Sequence, residues 1–460
     1  MKEYDICVIG AGSAGLVAAS AANRSGARTA LIERALIGGE CLHSGCIPSK
    51  TFLHSANIYY TMKNAAQYGL PVCHAGTPDL GKVMGHVLSV ISSITQYENA
   101  EAYQKLGIDV YFGKNHFVSK NILSANGNEL FSKYFIICTG SSAVVPPIDG
   151  LEDIPYLTNK NFWDQKTLPV STLILGAGPI GIELGQALRR LGSDVYIMMR
   201  SDRILRNEDH AIAEEMKKIL QADGVHFLDN STVLKFKREN SRIIARYTRN
   251  GSEHELVVES VVIATGRKPN IEDLLLEHAG VAYGKGGIVV NDELMTTADN
   301  IYACGDVIGK YLFTQAASFY AGIAVNNIVN SEKKTISDGI MPWVIFTEPE
   351  LAHVGFTEDE ARQKFGDVHV LHLDTVFGRL RTENSTKVFL KIILTGDDRI
   401  VGAHAIGTGS GEYIQNLTMA MQDHISVKQI AGTIYPYPTF SEIVKKAFSR
   451  YLRTKHDSVP

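Results

Sequence analysis

A glycine-rich turn between an apolar run and a helix occurs twice in this chain, and it strongly limits the possible fold. The first turn, Gly10-Ala-Gly12-Ser-Ala-Gly15, follows the run Tyr4–Ile9, and the second, Gly176-Ala-Gly178-Pro-Ile-Gly181, follows another apolar run. In such turns the first glycine makes the bend, the second lets a pyrophosphate approach the backbone, and the third allows close packing. The N–H groups at the start of the following helix bind the phosphates. The sequence therefore predicts two dinucleotide-binding units.

The residue at the end of the next strand differs between the two units. In the first unit Glu33 stands about 20 residues after the turn, where a carboxylate accepts hydrogen bonds from ribose hydroxyls. In the second unit Arg200 takes the corresponding place, and Arg203 and Arg206 follow it. Guanidinium groups bind a 2′-phosphate that a carboxylate would repel. The second unit is therefore predicted to prefer NADPH to NADH.

Two cysteines, Cys41 and Cys46, lie close together in residues 38–50, which read GGECLHSGCIPSK. In an ideal helix their Cα atoms would be roughly 8.6 Å apart, beyond the limit of about 7 Å for a disulfide. The glycines of this segment allow the distortion that closure needs. A redox-active disulfide, half of a zinc site and two incidental thiols are the alternatives. Zinc needs about four ligands, and no second cysteine pair of this kind occurs, so no metal site is predicted.

Together these features resemble the pyridine nucleotide-disulfide oxidoreductases, the family of lipoamide dehydrogenase, glutathione reductase and mercuric reductase. Further matching motifs are a run ending in Thr265-Gly266, the segment 296–306 ending in Gly305-Asp306, and the segment 346–355. The resemblance covers essentially the whole chain. It implies an α/β fold with two Rossmann-like dinucleotide-binding domains, a C-terminal α+β dimerisation domain, FAD at the first nucleotide site, and a homodimer.

The domain boundaries follow from the order of the motifs. Residues 1–146 are expected to form the first part of the FAD domain, 147–269 the NAD(P)H domain, 270–340 the second part of the FAD domain, and 341–460 the dimerisation domain. The proline pair at 146 and 147 marks the first boundary.

The resemblance also implies the site residues. The predicted FAD contacts are Gly10, Gly12, Ser13, Ala14, Gly15, Glu33, Arg34, Gly39, Glu40, Cys41, Lys50, Thr139, Gly140, Gly305, Asp306, Gln315 and Ala316. The predicted NADPH contacts are Gly176, Gly178, Pro179, Ile180, Gly181, Glu183, Arg200, Arg206 and Gly266. The predicted catalytic residues are Cys41, Cys46, Lys50, Glu183, Tyr437 and Glu442.

Four of these residues receive roles from the resemblance. Cys46 forms the charge-transfer contact with the flavin, and Cys41 is the exposed thiol that meets the acceptor. Lys50 and Glu183 form a buried ion pair near the reactive edge of the flavin. Such a pair positions the nicotinamide and stabilises developing charge.

The chain departs from its relatives at the segment Tyr435-Pro-Tyr437-Pro-Thr-Phe-Ser-Glu442. Lipoamide dehydrogenase and glutathione reductase have a histidine at the position of Tyr437, as the acid–base partner of the exposed thiol, and a glutamate at Glu442 that orients it. The reference pKa is about 10 for tyrosine and about 6.5 for histidine, so Tyr437 is a poor base at neutral pH. Two smaller departures are Pro179, where relatives often have tyrosine or isoleucine, and Gly181, where NADPH-specific relatives often have alanine.

The acceptor therefore stays open between several classes. The main prediction is a disulfide or another thiol-reactive acceptor, and the alternatives are a dihydrolipoamide dehydrogenase-type enzyme and a reductase of mercuric or other soft metal ions. Mercuric reductase has tyrosine at the matching place, but it also has a C-terminal cysteine pair, whereas the last cysteine here is Cys304. A slow flavoprotein redox sensor is a rival from another class.

Composition excludes several partners and locations. The formal net charge of −4 shows no basic excess, so neither nucleic acid nor an anionic membrane is an expected partner. The chain has no apolar run of about 18 residues that would suggest a membrane span, and it opens directly on a strand rather than on a signal peptide. Only six cysteines occur, which is not a secreted disulfide framework. A cytoplasmic enzyme is expected.

Overall fold

The computed structural model describes residues 1–336, 339–383 and 388–457. The N-terminal part, up to residue 143, contains the first nucleotide-binding unit and the cysteine pair. Its strands are β1 (Lys2–Ile9), β2 (Thr29–Glu33), β3 (Asp109–Phe112), β4 (Asn115–Ser119), β5 (Ile122–Ala125), β6 (Asn128–Ile137) and β7 (Ser141–Ala143). Its helices are α1 (Ser13–Arg24), α2 (Gly39–His43), α3 (Cys46–Lys63), α4 (Leu80–Thr95) and α5 (Ala100–Lys105).

The middle part contains the second nucleotide-binding unit. Its strands are β8 (Ser171–Leu175), β9 (Asp194–Met198), β10 (His226–Leu228), β11 (Ser231–Glu239), β12 (Arg242–Arg249), β13 (Ser252–Val258), β14 (Ser260–Ile263) and β15 (Arg267–Pro269). Its helices are α6 (Pro179–Leu191) and α7 (His210–Ala222). A parallel sheet of order β10-β9-β8-β14 stands beside an antiparallel sheet of order β11-β12-β13.

The chain then returns to the first sheet. The elements are β16 (Tyr283–Gly284), β17 (Gly287–Ile288), β18 (Ile301–Ala303) and α8 (Thr314–Val329). Six strands of the first sheet follow the order β3-β2-β1-β6-β5-β4. Strand β18 is the seventh strand, and it pairs in parallel with β6. The strands β7 and β15 pair with each other where the chain leaves and re-enters this part.

The C-terminal part is an antiparallel sheet covered by helices. Its strands are β19 (Pro342–Ile345), β20 (Glu350–Gly355), β21 (Val368–Thr375), β22 (Val388–Thr395) and β23 (Ile400–Gly407), in the order β19-β20-β23-β22-β21. Its helices are α9 (Glu358–Phe365), α10 (Gly378–Thr382), α11 (Ser410–Gln422), α12 (Val427–Gly432) and α13 (Glu442–Asp457).

The second half of strand β1 shows why the centre of the first sheet is apolar on both faces. Ile6 and Val8 pack into a cluster on one face together with α1 and α8, whereas Cys7 and Ile9 pack into a cluster on the other face. Because side chains alternate along a strand, a parallel sheet with both faces covered needs apolar residues at every position. The α/β fold class predicted from the sequence is confirmed. The first strand of each nucleotide-binding unit, β1 or β8, leads into a glycine turn.

The third glycine of each turn, Gly15 or Gly181, is required for steric reasons. A Cβ atom on Gly15 would lie 1.8 Å from the carbonyl oxygen of Gly10, and one on Gly181 would lie 2.0 Å from that of Gly176. The first turn of each helix therefore lies directly against the bend that precedes it. Neither position has space for alanine on this backbone, so Gly181 fits its own surroundings whichever coenzyme is preferred.

We expect Gly15→Ala to destabilise the first nucleotide-binding unit by about 1–3 kcal/mol, because overpacking against a backbone oxygen forces the helix away from the turn. Loss of bound FAD and a lower thermal unfolding midpoint would report this change. Gly85→Ala is the matched control, since Gly85 lies on an exposed face of α4 with no atom within 4 Å of an added Cβ. Equal stability of the two variants would contradict this account.

Candidate active site

A cleft of about 2660 Å³ contains residues of both glycine turns and both cysteines. Pockets for drug-sized ligands are typically about 300–1,000 Å³. The cleft is therefore large enough for two dinucleotides placed end to end.

Glu33 is fixed at the end of β2 by two backbone amides. Its Oε2 accepts a hydrogen bond from Ala11 N at 2.6 Å, and its Oε1 accepts one from Ala35 N at 2.8 Å. A carboxylate has about four acceptor positions, so two remain for ribose hydroxyls. Glu33 thus holds the glycine turn in place as well as lining the cleft.

Arg267, which the sequence analysis did not assign to the site, connects two of the predicted FAD contacts. Its guanidinium forms an ion pair with Glu40, and its Nε donates to Ser141 Oγ at 2.7 Å. The Ser141 hydroxyl in turn donates to Asp306 Oδ2 at 2.6 Å. Burial raises the pKa of Asp306, while the bond from Ser141 opposes that shift. Sequence reasoning missed Arg267 and Ser141 because they lie outside the glycine turns and meet Glu40 only in the fold.

Glu40 also provides a test of whether this part of the cleft suits FAD. Its Oε2 accepts a hydrogen bond from Asn159 at 3.2 Å, but its buried Oε1 has no hydrogen-bond partner among the described residues. A buried acceptor without a partner in a polar cleft fits a hydroxyl of a bound ligand. The donor set therefore suits the sugar hydroxyls of a flavin dinucleotide.

The other predicted FAD contacts fall into two groups. The residues that line the cleft are Gly10, Gly12, Ser13, Ala14, Arg34, Gly39, Thr139, Gly140, Gly305 and Gln315. Gly15 instead packs against Gly10, and Ala316 is fully buried in the core between α1 and α8. Neither is a residue of the cleft wall.

The cysteine pair lies at a break between two helices. Helix α2 ends at His43 and α3 begins at Cys46, so the regular helix that would separate the sulfurs is interrupted. The Thr314 hydroxyl lies 3.3 Å from Cys41 Sγ, to which it donates, and 3.2 Å from Cys46 Sγ. One hydroxyl therefore bridges both sulfur atoms, and it holds the pair together at the start of α8.

The two thiols share one proton unequally. Hydrogen bonding from Cys46, and then from Thr314 and Ser13, lowers the pKa of Cys41 to about 6. Hydrogen bonding to Cys41, followed by burial, raises the pKa of Cys46, although the charge of Lys50 opposes this rise. The groups of the protein thus place the thiolate on Cys41. The charge-transfer role that the resemblance gives to Cys46 stays a prediction, since that role depends on the flavin as well.

Lys50 and Glu183 lie together, as the resemblance implies. Lys50 Nζ is 2.9 Å from Glu183 Oε2, and the Glu183 side chain is 7% exposed. The other oxygen of Glu183 accepts from Phe346 N at 2.8 Å, and Lys50 Nζ lies 4.5 Å from the centre of the Phe346 ring. This ion pair therefore connects α3, α6 and the start of the C-terminal part. Its role in catalysis stays a prediction.

The second nucleotide site begins at the N-terminus of α6. Gly178 is the N-cap, Pro179 is the first helical residue, and Ile180 is 38% exposed at the cleft. The cleft wall there also includes Gly176 and Gly266. The free N–H groups and the positive end of the helix dipole are thus available to a pyrophosphate.

Arginines lie where the second unit would meet the adenosine end of a coenzyme. Arg200 and Arg206 are exposed residues of the cleft wall, and Arg206 Nε donates to Ser201 Oγ at 3.2 Å. Arg203 instead turns back to donate to the Glu208 carbonyl oxygen. Arg200 and Arg206 therefore lie at the cleft wall, whereas Arg203, which also lines the cleft, is bound to the protein backbone. The preference for NADPH stays a prediction.

Tyr437 and Glu442 lie outside the cleft of their own chain. The Tyr437 side chain is 75% exposed, and its hydroxyl lies near Gly378 in α10. Glu442 forms an ion pair with Lys446 at 3.0 Å, and its buried Oε2 has no hydrogen-bond partner among the described residues. The catalytic role that the resemblance gives to Tyr437 and Glu442 stays a prediction.

Comparison with known proteins identifies the family. Residues 4–321 match the pyridine nucleotide-disulphide oxidoreductase family, and residues 341–448 match its dimerisation domain. The chain belongs to this family of flavoprotein disulfide oxidoreductases, NAD(P)H-dependent enzymes that use FAD and a pyridine nucleotide. The family and enzyme class predicted from the sequence are confirmed.

Several relatives cover almost the whole chain. A mercuric reductase of Staphylococcus aureus is 34% identical over 97% of this chain and 82% of its own. A dihydrolipoyl dehydrogenase of Bacillus subtilis is 32% identical over 97% of both chains. The structure of the HOCl-induced flavoprotein disulfide reductase RclA from Escherichia coli has a TM-score of 0.85 and 30% identity, covering 97% of this chain and 99% of that one.

Within the described ranges, every helix is too short or too polar to cross a bilayer.

The lowered pKa of Cys41 predicts how its reactivity depends on pH. The thiolate is the reactive form, so alkylation of reduced Cys41 by iodoacetamide should rise through pH 6 and level off above about pH 7, well below the range for an ordinary thiol of pKa about 8.5. Thr314→Val should shift this profile upward by about one to two units, because a hydrogen bond to a charged group contributes about 1.5–3 kcal/mol.

Mass spectrometry of peptides alkylated at each pH would measure the profile. The control is Thr51→Val on α3, whose hydroxyl donates to the Ile47 carbonyl oxygen. A profile centred near pH 8.5 in the unmodified protein would show that Cys41 is not held as a thiolate.

Proposed function

We propose that this chain is an NADPH-dependent flavoprotein reductase whose Cys41–Cys46 pair passes electrons to a thiol-reactive acceptor, with soft metal ions as the favoured class. The observation that carries this proposal is the bridge from Thr314 to both sulfurs, with Cys41 held as the thiolate. A thiolate at the cleft wall is a ligand for soft ions such as copper and mercury. It is also a nucleophile toward disulfides.

When bound, FAD would accept a hydride from the reduced coenzyme and pass the electron pair to the cysteines. Several residues of the chain would position the cofactor and the cysteines for this transfer. The charge of Lys50 acts on Cys46, and Glu183 holds Lys50 in place from the next helix. Glu40, Arg267 and Asp306 form the polar wall that would bind the sugar hydroxyls.

Tyr437 favours metal ions over dithiols as acceptors. Dithiol exchange needs a base that moves a proton at neutral pH, and a group with a reference pKa of about 10 is a poor choice. Reduction of a metal ion needs no such base. Consumption of one NADPH and two Cu(II) would give NADP⁺, one proton and two Cu(I), which balances the two electrons of the hydride.

The relatives support both metal-ion and dithiol readings. One relative is named a mercuric reductase, and a structure of RclA, with a TM-score of 0.84 to this chain, is a Cu(II) complex. The match to a dihydrolipoyl dehydrogenase over 97% of both chains makes a dithiol substrate the second candidate. The substitution of tyrosine for histidine at position 437 argues against that candidate.

We also propose that the enzyme is a cytoplasmic homodimer. The segment around Tyr437 exposes large apolar side chains, including Ile434 at 93% exposure. Covering this segment with a second chain would remove apolar area from water and bring Tyr437 toward Cys41 of the partner subunit. The chain has only six cysteines, which is not the disulfide framework of a secreted protein.

The proposal predicts which acceptors support NADPH oxidation. Turnover with copper(II) or mercury(II) should exceed that with lipoamide or glutathione disulfide, and Cys41→Ser should abolish the metal-dependent part. Stopped-flow absorbance under anaerobic conditions would follow NADPH and flavin together. Cys73→Ser is the control, since that thiol lies away from the cleft wall. Fast turnover with lipoamide would favour the second candidate, and slow turnover with every acceptor would favour a redox sensor.

The arginines predict the coenzyme preference. Arg200→Ala combined with Arg206→Ala should lower kcat/KM for NADPH by at least about 10–150-fold, because even one hydrogen bond to a charged phosphate contributes about 1.5–3 kcal/mol. The value for NADH should change little, since NADH lacks the 2′-phosphate. Arg249→Ala, on the antiparallel sheet of the same part, is the control. An equal loss with both coenzymes would mean that these arginines do not read the phosphate.

A further inference from the structure

Glu208, His353 and His404, here called the His-Glu cluster, lie together in the interior between the second nucleotide-binding unit and the C-terminal sheet. Their ligand atoms all lie within 4.8 Å of one another. The three side chains are 4% exposed or less. The sequence analysis predicted no metal site, because it found no second cysteine pair, and these three residues are far apart in the chain.

The fold brings the two histidines together by strand register. His353 on β20 and His404 on β23 are directly opposite each other in antiparallel strands, so both side chains lie on the same face of the sheet. Their rings pack edge to face, with centroids 4.5 Å apart. Glu208 reaches this face from the residue pair that precedes α7.

Both rings are oriented as metal-binding histidines usually are. His353 Nε2 lies 2.8 Å from the Gly355 carbonyl oxygen, and His404 Nε2 lies 3.1 Å from that of Phe356. A carbonyl oxygen only accepts hydrogen bonds, so each Nε2 carries the proton and each Nδ1 is left for another partner. Such a hydrogen bond from the far nitrogen fixes the tautomer in most histidine–metal sites.

The Nδ1 atom of His404 is buried and has no hydrogen-bond partner among the described residues, which also points to a bound ion. Buried polar atoms in native proteins are almost always paired, and an exception calls for an explanation such as a bound ion. The Nδ1 of His353, by contrast, already lies 3.0 Å from Glu208 Oε2.

The carboxylate of Glu208 is held in place from its other side. Trp343 Nε1 donates to Glu208 Oε1 at 2.5 Å, which leaves Oε2 for the histidines. The surrounding charges are the carboxylates of Asp209 and Glu358, the ammonium group of Lys391, which pairs with both, and the nearby guanidinium of Arg203. With Glu208 itself, three carboxylates are balanced by only two cations. A divalent ion would therefore not add to an existing excess of positive charge.

We propose that the His-Glu cluster binds a divalent transition-metal ion, through Nδ1 of His353, Nδ1 of His404 and the carboxylate of Glu208. Two imidazoles and a carboxylate suit zinc and its neighbours. Tetrahedral ligands at about 2.1 Å lie roughly 3.4 Å apart, so the widest pair closes by about 1.4 Å on binding. The proton shared by His353 and Glu208 is released. Glu208 and His353 also line the cleft, which gives the ion a path of entry.

The test uses the full-length, FAD-loaded protein with both cleft cysteines replaced, Cys41→Ser and Cys46→Ser, so that thiolates cannot bind the probe. Chelator-treated protein is titrated with Co(II), whose visible absorbance reports tetrahedral coordination, and then with Zn(II) by calorimetry. We expect about one ion per chain, displacement of Co(II) by Zn(II), and a rise in the unfolding midpoint with free Zn(II).

Two variants on this background locate the ion. Glu208→Gln preserves the size of the side chain and removes the charged ligand, and His404→Phe preserves a ring. Either change should weaken binding by more than about 100-fold, since even outer-shell partners account for about 10–100-fold. His372→Phe on β21 of the same sheet is the control and should bind as tightly as the background protein.

A variant that does not fold leaves a crystallographic test, which uses only the background protein. Anomalous scattering from crystals grown with Zn(II) should then place the ion between the two Nδ1 atoms and Glu208. Absence of stoichiometric binding in the background protein, binding unchanged in Glu208→Gln, or an ion located elsewhere would each overturn the proposal.

Discussion

The ion pair between Lys50 and Glu183 joins three parts of the molecule beside the cysteine pair. Lys50 belongs to the helix that begins with Cys46, and Glu183 belongs to the helix that opens the second nucleotide site. The same carboxylate accepts from Phe346 N in the C-terminal part. Loss of one partner would leave a charge in a largely buried place, which costs about 3–5 kcal/mol. The pair therefore fixes three parts of the chain at the point where both predicted cofactor sites meet.

The redox centre beside this ion pair is assembled from two segments that are distant in the chain. The first nucleotide-binding unit supplies Cys41 and Cys46, and the returning segment supplies Thr314, which bridges them. The bridge exists only because β18 rejoins the first sheet and directs α8 toward the sulfurs. Hydrogen bonding from Cys46 contributes most to the lowered pKa of Cys41, and a pair of thiols without the Thr314 hydroxyl would lack a further donor. The protonation of the cysteine pair thus depends on the return of the chain to the first sheet, because that return places Thr314 beside the two sulfurs.

Sequence reasoning succeeded where the signal is local and failed where it is not. The glycine turns and the cysteine segment are contiguous, and the steric demand at Gly15 is visible as a spacing. The contact between Arg267 and Glu40 joins residues 227 positions apart, and no periodicity marks either one. The His-Glu cluster is a stronger case, because Glu208 lies in a charged stretch of the sequence, and His353 and His404 meet only through the register of β20 against β23. The pair of Lys50 and Glu183 is also long-range, 133 positions apart, and it was predicted only because both residues lie in motifs that resemble the family. Long-range polar contacts outside such motifs need the fold before they can be recognised.

The two polar centres of the molecule are joined by stacked aromatic rings. Trp343 stacks on His353 with ring centroids 3.5 Å apart, and on Phe313 at 5.4 Å. Phe313 directly precedes Thr314, which bridges the cysteines. Closely packed rings in a dense interior have few alternative positions. Trp343 and Phe313 therefore form one packed stack between the His-Glu cluster and the residue that precedes the bridging hydroxyl.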